Sequence, residues 1–127
     1  GVSNDPTKAS TIVMKYMQKY GYKVYPVNPK AKGQKILGEE VYGKITDIKD
    51  TIDIVDVFRP SKEVPAIAED TIKIGAKVLW LQLGIKSEEA KKLMEINNIS
   101  YIENKCTKME YQSYFLKVRQ AFPALQD

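Results

Sequence analysis

The chain contains no histidine. This removes the commonest general base and proton shuttle near neutral pH. Ser–His and Cys–His nucleophile pairs are excluded with it, as is a phosphohistidine formed within these residues. Cysteine is almost as scarce. Cys106 stands alone, so no internal disulfide can form, and one thiol without imidazoles makes a poor transition-metal donor set. A lone thiol fits a reducing compartment, and a cytoplasmic location is expected. No apolar run approaches the roughly 20 residues that cross a bilayer. No basic-then-apolar leader opens the sequence. No membrane partner is expected. Arginine is limited to Arg59 and Arg119, and neither lies among the stacking aromatics that a nucleic-acid groove needs. The net charge of +4 therefore reads as lysines spread over solvated helix faces (Lys15, Lys19, Lys73, Lys91, Lys92), with a mild lean toward anionic partners.

What is present suits one ordinary domain. The 127 residues are 43% hydrophobic and 28% charged, enough to close a single core without a metal or disulfide staple. Helical and strand-like stretches alternate. Pro6 suits a first helical turn, with Asn4 or Asp5 as cap. Ile12, Val13, Tyr16, Met17 and Tyr20 follow at helical spacing, and Gly21 ends that helix. Tyr22 to Val27 reads as a short strand, residues 30–38 as a loop, residues 40–42 as an edge strand and residues 47–50 as a helical turn. Ile52 to Phe58 reads as a strand. Ser61 is expected to cap a helix whose inner face carries Val64, Ile67, Ala68, Thr71 and Ile72. Lys77 to Leu83 is the most continuous apolar strand, with Trp80 taken as core. Ser87 is expected to cap a further helix with Glu88 and Glu89 in its first turn, followed by a strand over residues 100–102 and a last helix over 110–120. Strands alternating with helices imply an α/β fold with a mainly parallel sheet. A glycine loop that opens a helix should follow a strand in such a unit. None precedes Gly1, so the first, central strand is expected to be missing, leaving the fold weakened or dependent on a substitute.

Ligands of open α/β sheets lie across the carboxyl ends of the strands. Four segments therefore matter. The first is Gly1-Val2-Ser3-Asn4-Asp5-Pro6, leading into a helix whose free N–H groups can hold an anion, with Ser3, Lys8 and Ser10 as added donors. It reads equally well as a plain turn and cap. The second is Asn28-Pro29-Lys30. Nicotinamide dinucleotide sites place an acid after the second strand, and there is none here, nor is there a full G-x-G-x-x-G. Lys30, with Lys32 and Lys35 nearby, suits a phosphate or a solvated loop. The third is Phe58-Arg59, where the guanidinium fork can take phosphate or carboxylate. In the fourth, Gln82 to Gly84, the glutamine can face a ligand or bond neighbouring backbone. Cys106 is flanked by Lys105 and Lys108. It is either a packed thiol or a partner for a thiol ligand.

Taken together, five runs resemble the small CoA-binding protein family. They are residues 1–10 (GVSNDPTKAS), 21–29 (GYKVYPVNP), 57–59 (VFR), 77–84 (KVLWLQLG) and 105–111 (KCTKMEY). The family is similar to the CoA-binding N-terminal domain of the succinyl-CoA synthetase α subunit. The resemblance implies a Rossmann-like three-layer sandwich with coenzyme A or an acyl-CoA as ligand. It implies a pyrophosphate near Gly1, Val2, Ser3, Asn4 and Pro6, an adenosine end near Pro29 and Lys30, and a groove lined by Phe58, Arg59, Gln82 and Gly84. The synthetase draws its phosphohistidine from beyond that domain, so its activity is not implied. The expected role is a non-catalytic binding module. The alternatives are an NAD(P)-linked enzyme or redox sensor on the same fold, and an interaction subunit with a decayed site.

Overall fold

A computed structural model describes Val2, Asp5 and residues 7–113 of the chain. Three α-helices lie in this range, α1 (Ala9–Lys19), α2 (Val64–Lys73) and α3 (Glu88–Ile96), and the chain is helical again over 107–113. Two-residue strands β1 (Lys35–Ile36) and β2 (Glu39–Glu40) make a small antiparallel hairpin. The main sheet is parallel, with β4 (Val78–Leu81) between β3 (Ile54–Val57) and β5 (Ser100–Ile102). Two successive strand–helix–strand units build it, as the alternating pattern predicts.

The alternation of side chains along the strands sorts the core. Val55, Val57, Leu79 and Leu81 face one way, onto Val64 and Ala68 of α2 and Ala90 and Met94 of α3. Thr71, also fully buried, returns its hydroxyl to the Ile67 carbonyl at 2.8 Å, so this polar group enters the core satisfied. On the other face stand Asp56 and Trp80, toward the helix that begins at Thr107. A second, separate cluster joins Met14 of α1 to Ala31, Ile36 and Val41. Four tyrosines stitch the ends of two helices together. The Tyr111 ring lies 6.0 Å from Tyr16, 5.3 Å from Tyr20 and 5.8 Å from Tyr22.

Several local expectations hold. Ser87 Oγ accepts the Ala90 N–H at 3.1 Å, capping α3 beside Glu88 and Glu89. Gly21, at φ +88°, takes the left-handed conformation that ends α1. Others are corrected. Tyr22 to Val27 is not a ladder strand. Its backbone forms a single parallel bridge, Val27 with Tyr42, because no described strand lies alongside to pair with it. The stretch expected as a loop contains a 3₁₀ turn (Pro29–Ala31) and β1. The edge strand falls at Glu39–Glu40, and the expected helical turn falls at Ile45–Asp47. Ser61 does not cap α2. It opens a 3₁₀ turn, and its hydroxyl accepts the Lys86 N–H at 3.1 Å instead. Asp5 caps a turn and not α1: its Oδ1 accepts from the Thr7 N–H and Oγ1, at 2.9 and 2.7 Å. Pro6 and the expected helix beyond residue 113 lie outside the described residues.

Leu79 is buried completely in the middle strand, so its truncation leaves a cavity in the core. Leu79→Ala is expected to lower the unfolding free energy by about 2–5 kcal/mol, read from urea titration of both proteins.

Candidate functional site

A groove of about 810 Å³ runs between α1 and the β3 edge, and the carboxyl end of β3 opens at its mouth. Asn28 organises that mouth. Its backbone N–H donates to the Tyr42 carbonyl at 2.9 Å, its Oδ1 accepts the Lys30 N–H at 3.0 Å, and its Nδ2 donates to the Val2 carbonyl at 2.8 Å. The Val2 N–H in turn donates to the Val27 carbonyl at 3.2 Å. One asparagine thus joins the approach to α1 to the Pro29–Ala31 turn. Val2, Pro29, Phe58 and Arg59 all line the groove, so three of the four strand-end segments converge there. Ser10 is buried in the same wall. Lys8 and Lys30 are exposed beside it and outside its lining. Gly1, Ser3, Asn4 and Pro6 lie outside the described residues.

Arg59 is paired within the chain. Its Nη2 donates to both Glu63 carboxylate oxygens at 3.1 and 2.9 Å, and its Nε donates to Oε1 at 3.3 Å. Both side chains are about two-fifths exposed (43% and 39%), so the pair is solvated and weakly held, and an incoming anion can displace it. The fourth segment does not join the mouth. Gln82 is buried, and its side chain is engaged inside the fold. Gly84 turns away at φ +81°, its N–H donating to Asn104 Oδ1 at 2.8 Å.

The partners of Gln82 form a feature that reasoning from strand ends misses. Asp56 Oδ1 accepts from Gln82 Nε2, and Asp56 Oδ2 accepts from Thr107 Oγ1 at 3.0 Å. Gln82 Nε2 also reaches Thr107 Oγ1 at 3.0 Å, and Gln82 Oε1 accepts the Thr107 N–H at 3.3 Å. The network fastens the start of the 107–113 helix to two strands. Burial pushes the Asp56 carboxyl up to about 6, against the lowering effect of the bonds from Gln82 and Thr107. The signal was present in the sequence, as an acid in the middle of the apolar run IDIVDVF. Trp80, expected in the core, is half-buried on the groove wall, and its Nε1–H donates to the Lys105 carbonyl at 2.7 Å. Cys106 is a free, half-buried thiol. Among the described residues no cluster of acids and cysteines can hold a metal, and no helix is long and apolar enough to cross a membrane.

Residues 1–112 match a family model described as a CoA binding domain. An uncharacterized protein of Bacillus subtilis, YneT, is 35% identical over 111 residues, which is 87% of this chain and 81% of that one. The α subunit of an ADP-forming acetate–CoA ligase of Pyrococcus furiosus is 35% identical over 100 residues. That match takes in 73% of this chain and only 22% of the subunit, so this chain corresponds to about a fifth of it. Among solved structures, a hypothetical protein of Pyrococcus horikoshii superposes with a TM-score of 0.86 at 37% identity, covering 91% of this chain and 80% of its own. A Thermus thermophilus protein gives the same TM-score at 31% identity, over 89% of this chain and 84% of that one. The sheet is therefore the Rossmann-like one that the family resemblance implies.

The raised Asp56 carboxyl makes a signed prediction. In the unfolded chain the group titrates near 3.8, and in the fold near 6. Between those values the native state holds more protons than the unfolded state, so stability falls as pH rises from about 4 to 6 and levels off above. Asp56→Asn removes the charge and keeps one acceptor oxygen for Gln82 Nε2, while the NH2 that replaces Oδ2 donates to the Thr107 hydroxyl instead of accepting from it. It is expected to flatten that slope and to gain roughly 2–4 kcal/mol at pH 7.5. Urea unfolding at pH 4.5, 6 and 7.5 measures both effects.

Proposed function

Since this chain belongs to the CoA-binding domain family, we propose that it binds coenzyme A or an acyl-CoA at the mouth of the groove, as a binding module without chemistry of its own. Family membership over nearly the whole described chain is the observation that carries this reading. The chemistry of the mouth supports it. Phosphate would be met by the Arg59 guanidinium, which in the described residues faces the solvated carboxylate of Glu63, and by the exposed Lys30. The N-terminal end of α1, with Lys8 and Ser10, offers N–H groups and a positive dipole end to the pyrophosphate. Phe58 and Pro29 supply apolar contact, and the groove behind them can take an apolar arm. No acid follows Val27 to bond a ribose 2′-hydroxyl, which disfavours a nicotinamide dinucleotide. With no histidine and with about a fifth of the ligase subunit's length, the chain is not assigned ligase chemistry.

Thermal shift with CoA, dephospho-CoA, NAD and NADP in parallel tests the reading. A ligand of the native state adds about 2.7 kcal/mol at a hundredfold excess over Kd. CoA is expected to raise Tm, and dephospho-CoA to raise it less because Lys30 loses the 3′-phosphate. A shift with NAD or NADP alone, or with none of the four, would sink the proposal. Arg59→Ala and Lys30→Ala are each expected to weaken CoA by about 1–3 kcal/mol in calorimetric titration. Glu63→Gln removes the carboxylate that competes for Arg59, so it should tighten binding, and the gain should vanish when Arg59 is also alanine. Wild-type affinity in all three single variants would move the site elsewhere.

A further inference from the structure

The outer face of α1 carries a second groove of about 510 Å³. It does not share a helix face with the first. Ser10, Val13, Met14 and Met17 turn toward the larger groove, while Ile12, Lys15, Tyr16 and Lys19 recur at helical spacing on the other side. Leu37 and Lys108 close it, one from the tip of the β1–β2 hairpin and one from the 107–113 helix. Its centre is apolar and exposed: Ile12 is 42% exposed and Leu37 40%. Its rim is basic. Lys15, Lys19 and Lys108 line it with no acid beside them, α1 holds no acid along its length, and none of the three lysines is ion-paired among the described residues. Glu39, two residues after Leu37, is held by Lys23 at 2.6 Å. Leu37 is an unusual residue for its place. With Gly38 it joins β1 to β2 at φ +49° and +81°, the two-residue turn in which asparagine and glycine are favoured. A leucine there is held in the left-handed region with its side chain half in water. Its carbonyl accepts Gln18 Nε2 at 3.3 Å, which fastens the hairpin tip to α1, so the groove is formed before anything enters it.

We propose that this groove docks an acidic segment of another protein, with one aliphatic or aromatic side chain seated between Ile12 and Leu37 and flanking carboxylates set on Lys15, Lys19 and Lys108. Charge complementarity selects that occupant. A second copy of this chain, docking by the same patch, would set lysines against lysines. The concave apolar centre takes a protruding side chain and disfavours a flat lipid surface. The Tyr16 ring is already engaged by Tyr20, Tyr111 and the Lys108 ammonium, which lies 5.4 Å from its centre, so it makes a poor platform for a stacked base. Residues 114–127 lie outside the described range, and their charges, Lys117 and Arg119 against Asp127, have the wrong balance for a basic rim. The groove is separate from the proposed coenzyme site and does not rest on that reading.

A displayed library of random peptides, selected against the full chain, tests the proposal. The enriched peptides are expected to carry acids around an aliphatic or aromatic residue. Synthesised singly, they should bind about tenfold or more weakly to Leu37→Asn and to the Lys15→Glu, Lys19→Glu double variant, and should weaken as salt rises. Asparagine suits the turn better than leucine does, so the Tm of Leu37→Asn should match or exceed that of the starting protein, which separates lost docking from lost folding. Peptides that bind both variants as tightly as the parent, or a selection that enriches no acidic peptide, overturn the proposal. So does binding of phosphatidylglycerol vesicles or of a single-stranded oligonucleotide that depends on the same lysines while the peptides fail to bind. Acetylation of Lys15 and Lys19 in the free chain is expected to run as fast as that of the exposed Lys91 and Lys92. Marked protection of the first pair would mean that this chain already covers the groove with its own residues, and it too overturns the proposal.

Discussion

β4 is flanked on both sides, and everything else takes its position from that. Its four residues carry parallel ladders to β3 and β5, while Leu79 and Leu81 vanish into the layer formed by α2 and α3. A strand with a neighbour on each side and a cover over its apolar residues has no other register available: a slip of one residue would turn those leucines away from their helices. The parallel direction then obliges each connection to cross over the sheet, and α2 and α3 are those crossings. The strand ends collect along one rim as a consequence, and three of the four candidate segments reach the groove there.

The half of the molecule that carries α1 is held differently. No ladder reaches it among the described residues. It is tied to the sheet through Tyr111 against Tyr16, Tyr20 and Tyr22, and through polar contacts such as the Tyr25 hydroxyl on Asp50. These ties lie at the two ends of the groove, and between them α1 spans an opening. The residues proposed to receive a nucleotide therefore come from two differently held halves: Phe58 and Arg59 follow the sheet, and Val2, Ser10 and Asn28 lie in the half that carries α1.

The sequence displayed the parallel core clearly, because its signals were local and redundant. Val78-Leu79-Trp80-Leu81 is an unbroken apolar run, Ser87 stands three residues before Ala90, and Gly75 ends a helix with an unbroken inner face. Tyr22 to Val27 looked equally strand-like, yet strand propensity reports a fit to a pleated surface and not the presence of a neighbour. The mouth was legible in part. Chemistry at strand ends pointed to Pro29, Phe58 and Arg59, which line the groove, but it does not encode that Glu63 holds the arginine or that Gln82 turns inward. Those outcomes depend on which helix side chains return to the strand, and spacing does not encode that. Asp56 lies within a strand and not after one, so chemistry at strand ends does not reach it. An acid flanked by valines is a strong cue that something polar must lie opposite.

That same carboxylate has a consequence for how the protein responds to acid. β3 reads Ile54-Val55-Asp56-Val57, and without its acid it would be a short run of aliphatic, β-branched residues on an open edge, the kind that recruits identical strands from other molecules. The acid inside that run is buried and bonded to Gln82 and Thr107, so it does not stand out toward solvent as a guard. Its consequence is thermodynamic: this one group strengthens the fold as pH falls through about 6, the reverse of the acid lability that ion-paired carboxylates confer.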